Sequence, residues 1–345
     1  MPVANRRWLA AVLVLVAALA AFEIGRRSVA PESPGLVVYC AHDAEFAAAV
    51  LSDFEAQTGI PVIVKYDAEA TKSLGFVNQL IHEKEHPQCD VFWNNELLGT
   101  CELKEHDVLV PYRGPGFERI PERYKDSEGH WAGFAARLRV YIVNTERFGG
   151  DEAEIETRLA DSPDLTRVAI AQPLFGTTLT HYTLLWHVWG KDKLIEWHDA
   201  LRKRGIRDVA GNAKTKQLVA EGACDFGFTD TDDFFVAKDD GKPVAMFPVR
   251  IDGQTICIPN SVAIVRGTQQ LASAQKLVDY LLSAETELKL ARSQSRQVPL
   301  GHISQEQLPE DVRPLVGWSA EGADLRPLLS DRQSVVEWLK SESLR

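Results

Sequence analysis

The chain has 345 residues, of which 45% are hydrophobic and 25% charged, values typical of a folded globular protein long enough for two lobes. Its formal net charge of -11 disfavours a nucleic-acid partner, because an acidic surface repels the phosphate backbone.

The N-terminal segment has the pattern of an export signal. Arg6 and Arg7 precede an apolar run from Trp8 to Phe22, which is shorter than the roughly 20 residues that a membrane-spanning helix needs. The length of the run and its basic start are typical of a signal peptide, and residues 18–20 form an A-x-A cleavage site. Charged residues follow directly, which leaves an uncleaved anchor as the alternative. Residues 1–30 therefore predict a signal peptide or N-terminal membrane anchor on an exported, periplasmic or extracytoplasmic protein.

Five cysteines are present, and their odd number leaves at least one outside any disulfide. Their spacing matches neither a C-x-x-C motif nor a zinc site. We expect them to be mainly buried small apolar residues. They are Cys40, Cys89, Cys101, Cys224 and Cys257.

The first third of the chain alternates strands and helices. Short β-rich runs predict strands at Leu36–Cys40, Pro61–Tyr66 and Cys89–Trp93, and helical periodicity predicts helices at Ala44–Thr58 and Ala70–His86. This β-α-β-α-β order requires parallel strands joined by crossover helices. Ligands bind such sheets at the carboxyl ends of the strands. The segments at those ends are Tyr39–Asp43, Tyr66–Lys72 and Asn94–Glu96.

A second strand–helix series follows. Arg137–Asn144 predicts a strand that crosses between lobes, and Arg167–Ala171 predicts a strand followed by a helix from Gly176. Phe226–Phe228 predicts a further strand, and Thr255–Val265 predicts the return to the first lobe. Two α/β lobes joined by such crossings form a hinged cleft that closes around a ligand. The predicted lobes are 36–138 plus 255–345, and 139–254.

The segment Thr229–Asp233 contains Asp230, Asp232 and Asp233 directly after an apolar strand. Carboxylates at a strand end bind a hard cation or pair with an organic cation. The alternative is an Asp-rich helix cap, because Asp favours the positive end of a helix. Both uses are compatible, and we expect at least one of these carboxylates to contact a ligand.

Polar residues also follow the first and third strands. Asn94, Asn95 and Glu96 are predicted to bind polar ligand atoms, with a helix cap as the alternative. His42 and Asp43 follow the first strand, and they too either bind polar ligand atoms or cap the next helix.

Two predicted helix starts in the second lobe are suited to an anion. Gly176, Thr177 and Thr178 open one helix, and Asn212 opens another. Backbone N–H groups at a helix start bind anions, and hydroxyl groups beside them add donors. Ordinary Ser/Thr capping of the helix is the alternative.

The enzyme motifs sought in the chain are missing. The sequence contains no G-x-S-x-G elbow, P-loop or H-E-x-x-H motif. We therefore predict a binding protein that has no catalytic residues and no catalytic cofactor. A secreted hydrolase that uses Asp232 and Asp233 as an acid–base pair is the alternative from another class.

The chain resembles the extracellular solute-binding proteins of ABC importers, in the cluster that contains the periplasmic ferric-iron-binding proteins. The resemblance extends from about Leu36 to about Leu300. It implies an α/β type II periplasmic-binding-protein fold with a hinged cleft, a monomer, and delivery of the ligand to a membrane permease. The segments that carry it are 37–43, 89–96, 137–145 and 258–261.

The chain departs from the iron binders at the ligand position. Those relatives commonly carry a Tyr-Tyr pair where this chain has Asp232 and Asp233, and phenolates give ferric selectivity that carboxylates lack. The resemblance places a His near His42 and Asp43 and a Glu near Asn95 or Glu96. Ferric iron or another metal is the leading ligand, with Asp43, Glu96, Asp232 and Asp233 as its predicted ligands.

An organic ligand is the alternative to a metal. The resemblance places an anion or a ligand phosphate at Gly176–Thr178 and at Asn212. A cationic organic solute would bind the Asp residues, and a phosphorylated one would bind the helix starts. An amphoteric molecule, or a metal with a bound anion, would use both.

Overall fold

The computed structural model describes residues 35–67, 74–174 and 176–343. The predicted signal peptide or anchor, residues 1–30, lies outside them, as do residues 68–72 of the second strand-end segment. Across the ranges described, helices are too short or too polar to cross a membrane.

Strands and helices alternate along most of these ranges. The strands are β1 (Leu36–Cys40), β2 (Val62–Tyr66), β3 (Val91–Asn94), β4 (Leu109–Val110), β5 (Ala132–Asn144), β6 (Val168–Ala171), β7 (Arg207–Val209), β8 (Phe226–Asp230), β9 (Val244–Pro248), β10 (Arg250–Ile251), β11 (Gln254–Thr255) and β12 (Cys257–Val265). The α-helices are α1 (Ala44–Thr58), α2 (Leu74–His82), α3 (Leu98–Glu105), α4 (Pro115–Glu118), α5 (Glu152–Asp161), α6 (Gly176–Trp189), α7 (Lys191–Lys203), α8 (Asn212–Ala220), α9 (Thr231–Asp239), α10 (Leu271–Leu281), α11 (Ala284–Arg292), α12 (Arg313–Ala320) and α13 (Leu329–Ser343).

Helix α1 forms where its periodicity predicts. Phe46, Val50 and Phe54 repeat at intervals of four residues and are buried on one face. Gly59 ends the helix with a φ of 69°, a left-handed conformation that glycine adopts without steric cost.

The prediction that the next helix continues to His86 is wrong, because α2 ends at His82. The segment Glu83–His86 is polar and offers no apolar face to bury. Pro87 follows it and disfavours helical geometry at His86.

The predicted parallel arrangement of the first three strands is confirmed. β1 pairs in parallel with β2 on one side and with β3 on the other. Their carboxyl ends therefore lie at the same edge of the sheet. The sheet continues in the order β2-β1-β3-β12-β5-β8-β6-β7, with β4 paired to β12 and β9 paired to β5.

Strand β5 belongs to both parts of this sheet. Its residues Ala132–Leu138 pair with β12, and Arg139–Val143 pair with β8. β8 and β7 flank β6 in parallel, so the second part repeats the arrangement of the first. The change of partner after Leu138 supports the predicted crossing, and the lobe bounds 36–138, 139–254 and 255–345 stay predictions.

The five cysteines are all buried and form no disulfide with one another, so the expectation that they are small buried residues is confirmed. A separate contact involves the C-terminal helix α13, which packs against α6. The indole of Trp338 on α13 stacks on the Tyr182 ring at 6.4 Å between centroids and lies 5.9 Å from the Trp186 ring.

Candidate functional site

A cavity of about 120 Å³ lies at the carboxyl ends of strands from both parts of the sheet. The first part contributes Asp43 after β1 and Asn95 after β3. The second part contributes the first turns of α6, α8 and α9, which follow β6, β7 and β8. Residues far apart in the chain therefore meet at the edge that the strand order predicts.

A buried ion pair lies behind the cavity. Arg139 and Asp230 are direct cross-strand neighbours of β5 and β8, and Arg139 Nη1 donates to Asp230 Oδ1 at 2.8 Å. The Arg139 side chain is fully buried and Asp230 is 3% exposed. A buried charge needs a partner, and within the sheet each of these two groups is the partner of the other.

Two helix starts are fixed to this ion pair. Thr177 Oγ1 on α6 donates to Asp230 Oδ2 at 2.5 Å. Asn212 Nδ2 on α8 donates to the same oxygen at 2.9 Å, and Asn212 Oδ1 accepts from Arg139 at 3.2 Å and from Thr178 at 3.3 Å. The Asp230 carboxylate therefore positions α6 and α8 beside one another.

A second buried arginine, Arg137, lines the cavity itself. Its Nε lies 3.4 Å from Asp232 Oδ2, and its Nη2 donates to Asn260 Oδ1 at 3.2 Å and to His42 Nδ1 at 3.1 Å. Arg137 Nε forms no hydrogen bond within the described part of the chain.

The carboxyl groups of Asp232 and Asp233 are unfavourable as ions in this cavity. Burial raises the pKa of Asp232, and nearby Arg137 opposes the rise while Asp230, Asp233 and Asp43 add to it. Burial likewise raises the pKa of Asp233, opposed by Lys216 and by the hydroxyl of Thr229. A cation in the cavity would favour the ionised forms of both groups.

Three predicted site residues do not line the cavity. His42 is 2% exposed, and its Nε2 lies 3.1 Å from the side-chain amide of Gln297 while its Nδ1 faces Arg137. Glu96 caps α3, because its carboxylate accepts from the N–H groups of Leu98 at 2.6 Å and Gly99 at 2.7 Å.

Asn94 supports that cap from inside the protein. It is fully buried and donates to Glu96 Oε1 at 3.1 Å and to Thr100 Oγ1 at 3.2 Å. The capping alternative therefore describes Asn94 and Glu96 in this structure, and their role as ligand contacts stays a prediction. The predicted residues that do line the cavity are Asp43, Asn95, Thr177, Thr178, Asn212, Asp230, Asp232 and Asp233.

The sequence analysis missed Arg137, Arg139 and Lys216. The two arginines alternate in an otherwise apolar strand, which places both on one face of β5. Arginine is almost never buried without a partner, so this spacing was a signal for two carboxylates nearby. Lys216 lies one turn into α8, 3.5 Å from Asp233 Oδ1, and its sequence context gives no comparable signal.

The predicted metal ligands do not converge in this structure. Among the described residues, a group of three acidic or histidine side chains with ligand atoms within 4.8 Å of one another occurs at Asp126, Glu128 and His130, outside the cavity. Lys104 pairs with Asp126 there at 2.8 Å. No tyrosine is among the described residues that line the cavity.

Comparison with known proteins identifies the family. Residues 36–293 match the family model for bacterial extracellular solute-binding proteins. The chain belongs to this family. The Fe(3+)-binding periplasmic protein of Serratia marcescens is 24% identical over 195 residues, which span 56% of this chain and 56% of that protein.

Solved structures show the fold of this solute-binding protein. Iron-bound HitA from Pseudomonas aeruginosa has a TM-score of 0.77 at 19% identity, over 89% of this chain and 99% of that one. AfuA from Actinobacillus pleuropneumoniae, with fructose-6-phosphate bound, has a TM-score of 0.66 at 20% identity, over 88% and 98%. The two-lobed α/β type II fold is thus confirmed, as is the relation to the ferric-iron-binding proteins. The family consists of binding proteins, in agreement with the non-enzyme prediction.

Proposed function

We propose that this protein is the exported, monomeric solute-binding component of an ABC import system. It captures a small ligand between its two lobes and delivers the ligand unchanged to a membrane permease. The observation that carries the proposal is the cavity to which both parts of the sheet contribute polar side chains, from Asp43 and Asn95 to Thr177 and Asp232. A hinge between the lobes would close these side chains around a solute.

The ligand that fits this cavity best is an organic solute with a cationic group. Asp232 and Asp233 supply carboxylates, whereas the phenolates typical of ferric sites are missing from its described lining. The predicted metal set of Asp43, Glu96, Asp232 and Asp233 is not assembled here, because Glu96 caps α3.

A metal remains the second candidate. It is favoured by the similarity to the Fe(3+)-binding protein of Serratia marcescens and to iron-bound HitA. A phosphorylated solute has comparable support from AfuA with fructose-6-phosphate. The hydrolase alternative finds no support in a family of binding proteins.

Native mass spectrometry of the freshly purified full chain, combined with elemental analysis, tests the function. We expect one small molecule to be bound, released on unfolding, and recovered unchanged after prolonged incubation. Chemical conversion of that molecule, lost in Asp233→Asn, would contradict a binding protein. Stoichiometric iron would select the second candidate.

A further inference from the structure

A second cavity, of about 260 Å³, lies beside the part of the sheet that contains β8. Its lining comes from the strands β5, β8 and β10 and from the helices α5, α6 and α7. Among the described residues, none lines both this cavity and the cavity at the strand ends. We call it the aromatic cavity, after the rings that line it: Tyr141, His181, Trp189, Trp197 and Phe228.

The aromatic cavity lies next to the buried ion pair of Arg139 and Asp230. Tyr141 follows Arg139 by two residues on β5, and Phe228 precedes Asp230 by two residues on β8. Residues two apart in a strand lie on the same face of the sheet. Tyr141 and Phe228 are also cross-strand partners, with ring centroids 5.0 Å apart. These two rings therefore continue the face of the sheet that carries the ion pair.

Helix α6 runs from one cavity to the other. Thr177, at its start, lines the cavity at the strand ends, and His181, Leu185 and Trp189 line the aromatic cavity. These residues are spaced at intervals of four, so they lie along one side of the helix. The two cavities are thus neighbours along α6, about one helical turn apart.

The size and the lining of the aromatic cavity suit a small aromatic molecule. An apolar cavity of roughly 150 Å³ is large enough to bind benzene. The aromatic cavity is larger, and Leu159, Leu185 and Ile251 add aliphatic surface to its rings. Aromatic side chains make favourable offset-stacked or edge-to-face contacts with another ring. We therefore expect a ligand with one substituted ring.

The charged side chains of this lining already have partners. Arg204 donates to backbone carbonyl oxygens at the end of α5, and Arg250 pairs with Glu321 at 2.5 Å. Glu156 accepts from the Tyr141 hydroxyl at 2.5 Å. Transfer of an unpaired ion into such a site is costly, so this lining favours a neutral ligand.

His181 gives the cavity a polar group that lacks a partner. It is 1% exposed, and within the described part of the chain neither of its ring nitrogens forms a hydrogen bond. Burial lowers the pKa of His181 well below its ordinary value, and the charge of Arg139 adds to this effect, so the ring is neutral at neutral pH.

The tautomer of His181 follows from the surroundings of its two nitrogens. Nδ1 is closed off from solvent and has no acceptor among the described residues. An N–H buried there would be costly, so the proton is more stable on Nε2. A ligand oxygen in the cavity would accept from this N–H.

We propose that the aromatic cavity is a second binding site, which takes a small neutral phenol. The ligand ring packs among Trp197 and Phe228, and its oxygen accepts from Nε2 of His181. The site is independent of solute capture in the cleft, because the two cavities have separate linings.

Titration calorimetry of the full chain at neutral pH tests the proposal with 4-methylphenol and toluene, which differ only in the hydroxyl group. We expect 4-methylphenol to bind once per chain with a dissociation constant below about 1 mM. Toluene should bind about fivefold more weakly, because it lacks the hydrogen bond to His181.

Two substitutions test the position of the bound phenol. His181→Phe keeps an aromatic ring and removes the N–H, so the fivefold difference between the two probes should disappear. Ala200→Phe adds a ring at a half-buried position of the lining and should weaken both probes at least about tenfold. Ala153→Phe, exposed on α5 outside the lining, is the matched control and should leave both affinities unchanged. Asp232→Asn should also leave them unchanged, because Asp232 lines the other cavity.

Three results would overturn the proposal. They are no binding of 4-methylphenol below about 1 mM, equal affinities for the two probes in the parent chain, and unchanged affinities in Ala200→Phe. Weaker binding of 4-methylphenol in Asp232→Asn would place the phenol in the cleft and would also contradict a second site. None of these results bears on solute capture, which native mass spectrometry tests separately.

Discussion

The two sides of the cleft use their polar strand-end residues differently. On the side of β1 and β3, Asp43 and Asn95 line the cavity, whereas His42, Asn94 and Glu96 are held by internal hydrogen bonds and do not. On the side of β8, Asp232 and Asp233 do line it, as do the predicted residues of α6 and α8. Position at a strand end thus predicts the correct edge of the sheet, whereas local hydrogen bonds decide which side chains face the ligand.

The largest effect should come from the buried ion pair on the β8 side. Arg139→Met leaves Asp230 buried without its cation, so the free energy of unfolding should fall by about 3–5 kcal/mol. Arg202→Met is the control, because Arg202 is exposed and pairs with Asp208 at 3.0 Å near the surface, so its loss should change stability by at most about 1 kcal/mol. Urea unfolding of both variants measures the difference. Equal losses would show that the β5–β8 pair does not organise this side of the cleft.

The next effect concerns pH. Burial raises the pKa of Asp232 to about 7 and that of Asp233 to about 6, above the values of an unfolded carboxyl group. At a pH below the ordinary carboxyl pKa, both groups are protonated in the folded and in the unfolded protein. Protonation favours the folded protein, and this stabilisation is lost as the pH rises through about 4 to 7. The ligand-free protein should therefore be less stable at pH 8 than at pH 5 as far as these groups contribute.

Asp232→Asn sharpens this prediction. The variant removes one unfavourable ion, so its free energy of unfolding at pH 8 without ligand should exceed that of the parent by on the order of 2 kcal/mol. Thermal unfolding at several pH values measures it. A parent and variant with the same pH dependence would show that Asp232 is not strained by its neighbours.

The smallest effect tests the side of β1 and β3. Glu96→Ala removes the cap of α3 and should lower the free energy of unfolding by about 1–2 kcal/mol. It should leave the affinity for the ligand recovered by native mass spectrometry within about twofold, because Glu96 does not line the cavity. A tenfold loss of affinity with unchanged stability would instead make Glu96 a ligand contact.

Most of the fold could be predicted from the sequence, because it depends on short-range patterns. The spacing of Phe46, Val50 and Phe54 defines α1, and the alternation of strands and helices defines the parallel sheet. The site was predicted less completely. The Glu96 carboxylate is oriented by the N–H groups at the start of α3. Arg137 forms an ion pair with Asp232, which is 95 residues away in the chain, and no short-range pattern predicts such a contact.

Closure of the cleft around a solute is tested most directly by small-angle scattering of the full chain with and without a saturating concentration of the ligand recovered by native mass spectrometry. A hinged solute-binding protein should show a smaller radius of gyration when the ligand is bound. Asp232→Asn, at the same ligand concentration, should show a smaller fraction of the compact form. A radius of gyration that does not change when calorimetry shows bound ligand would contradict capture by closure of the two lobes.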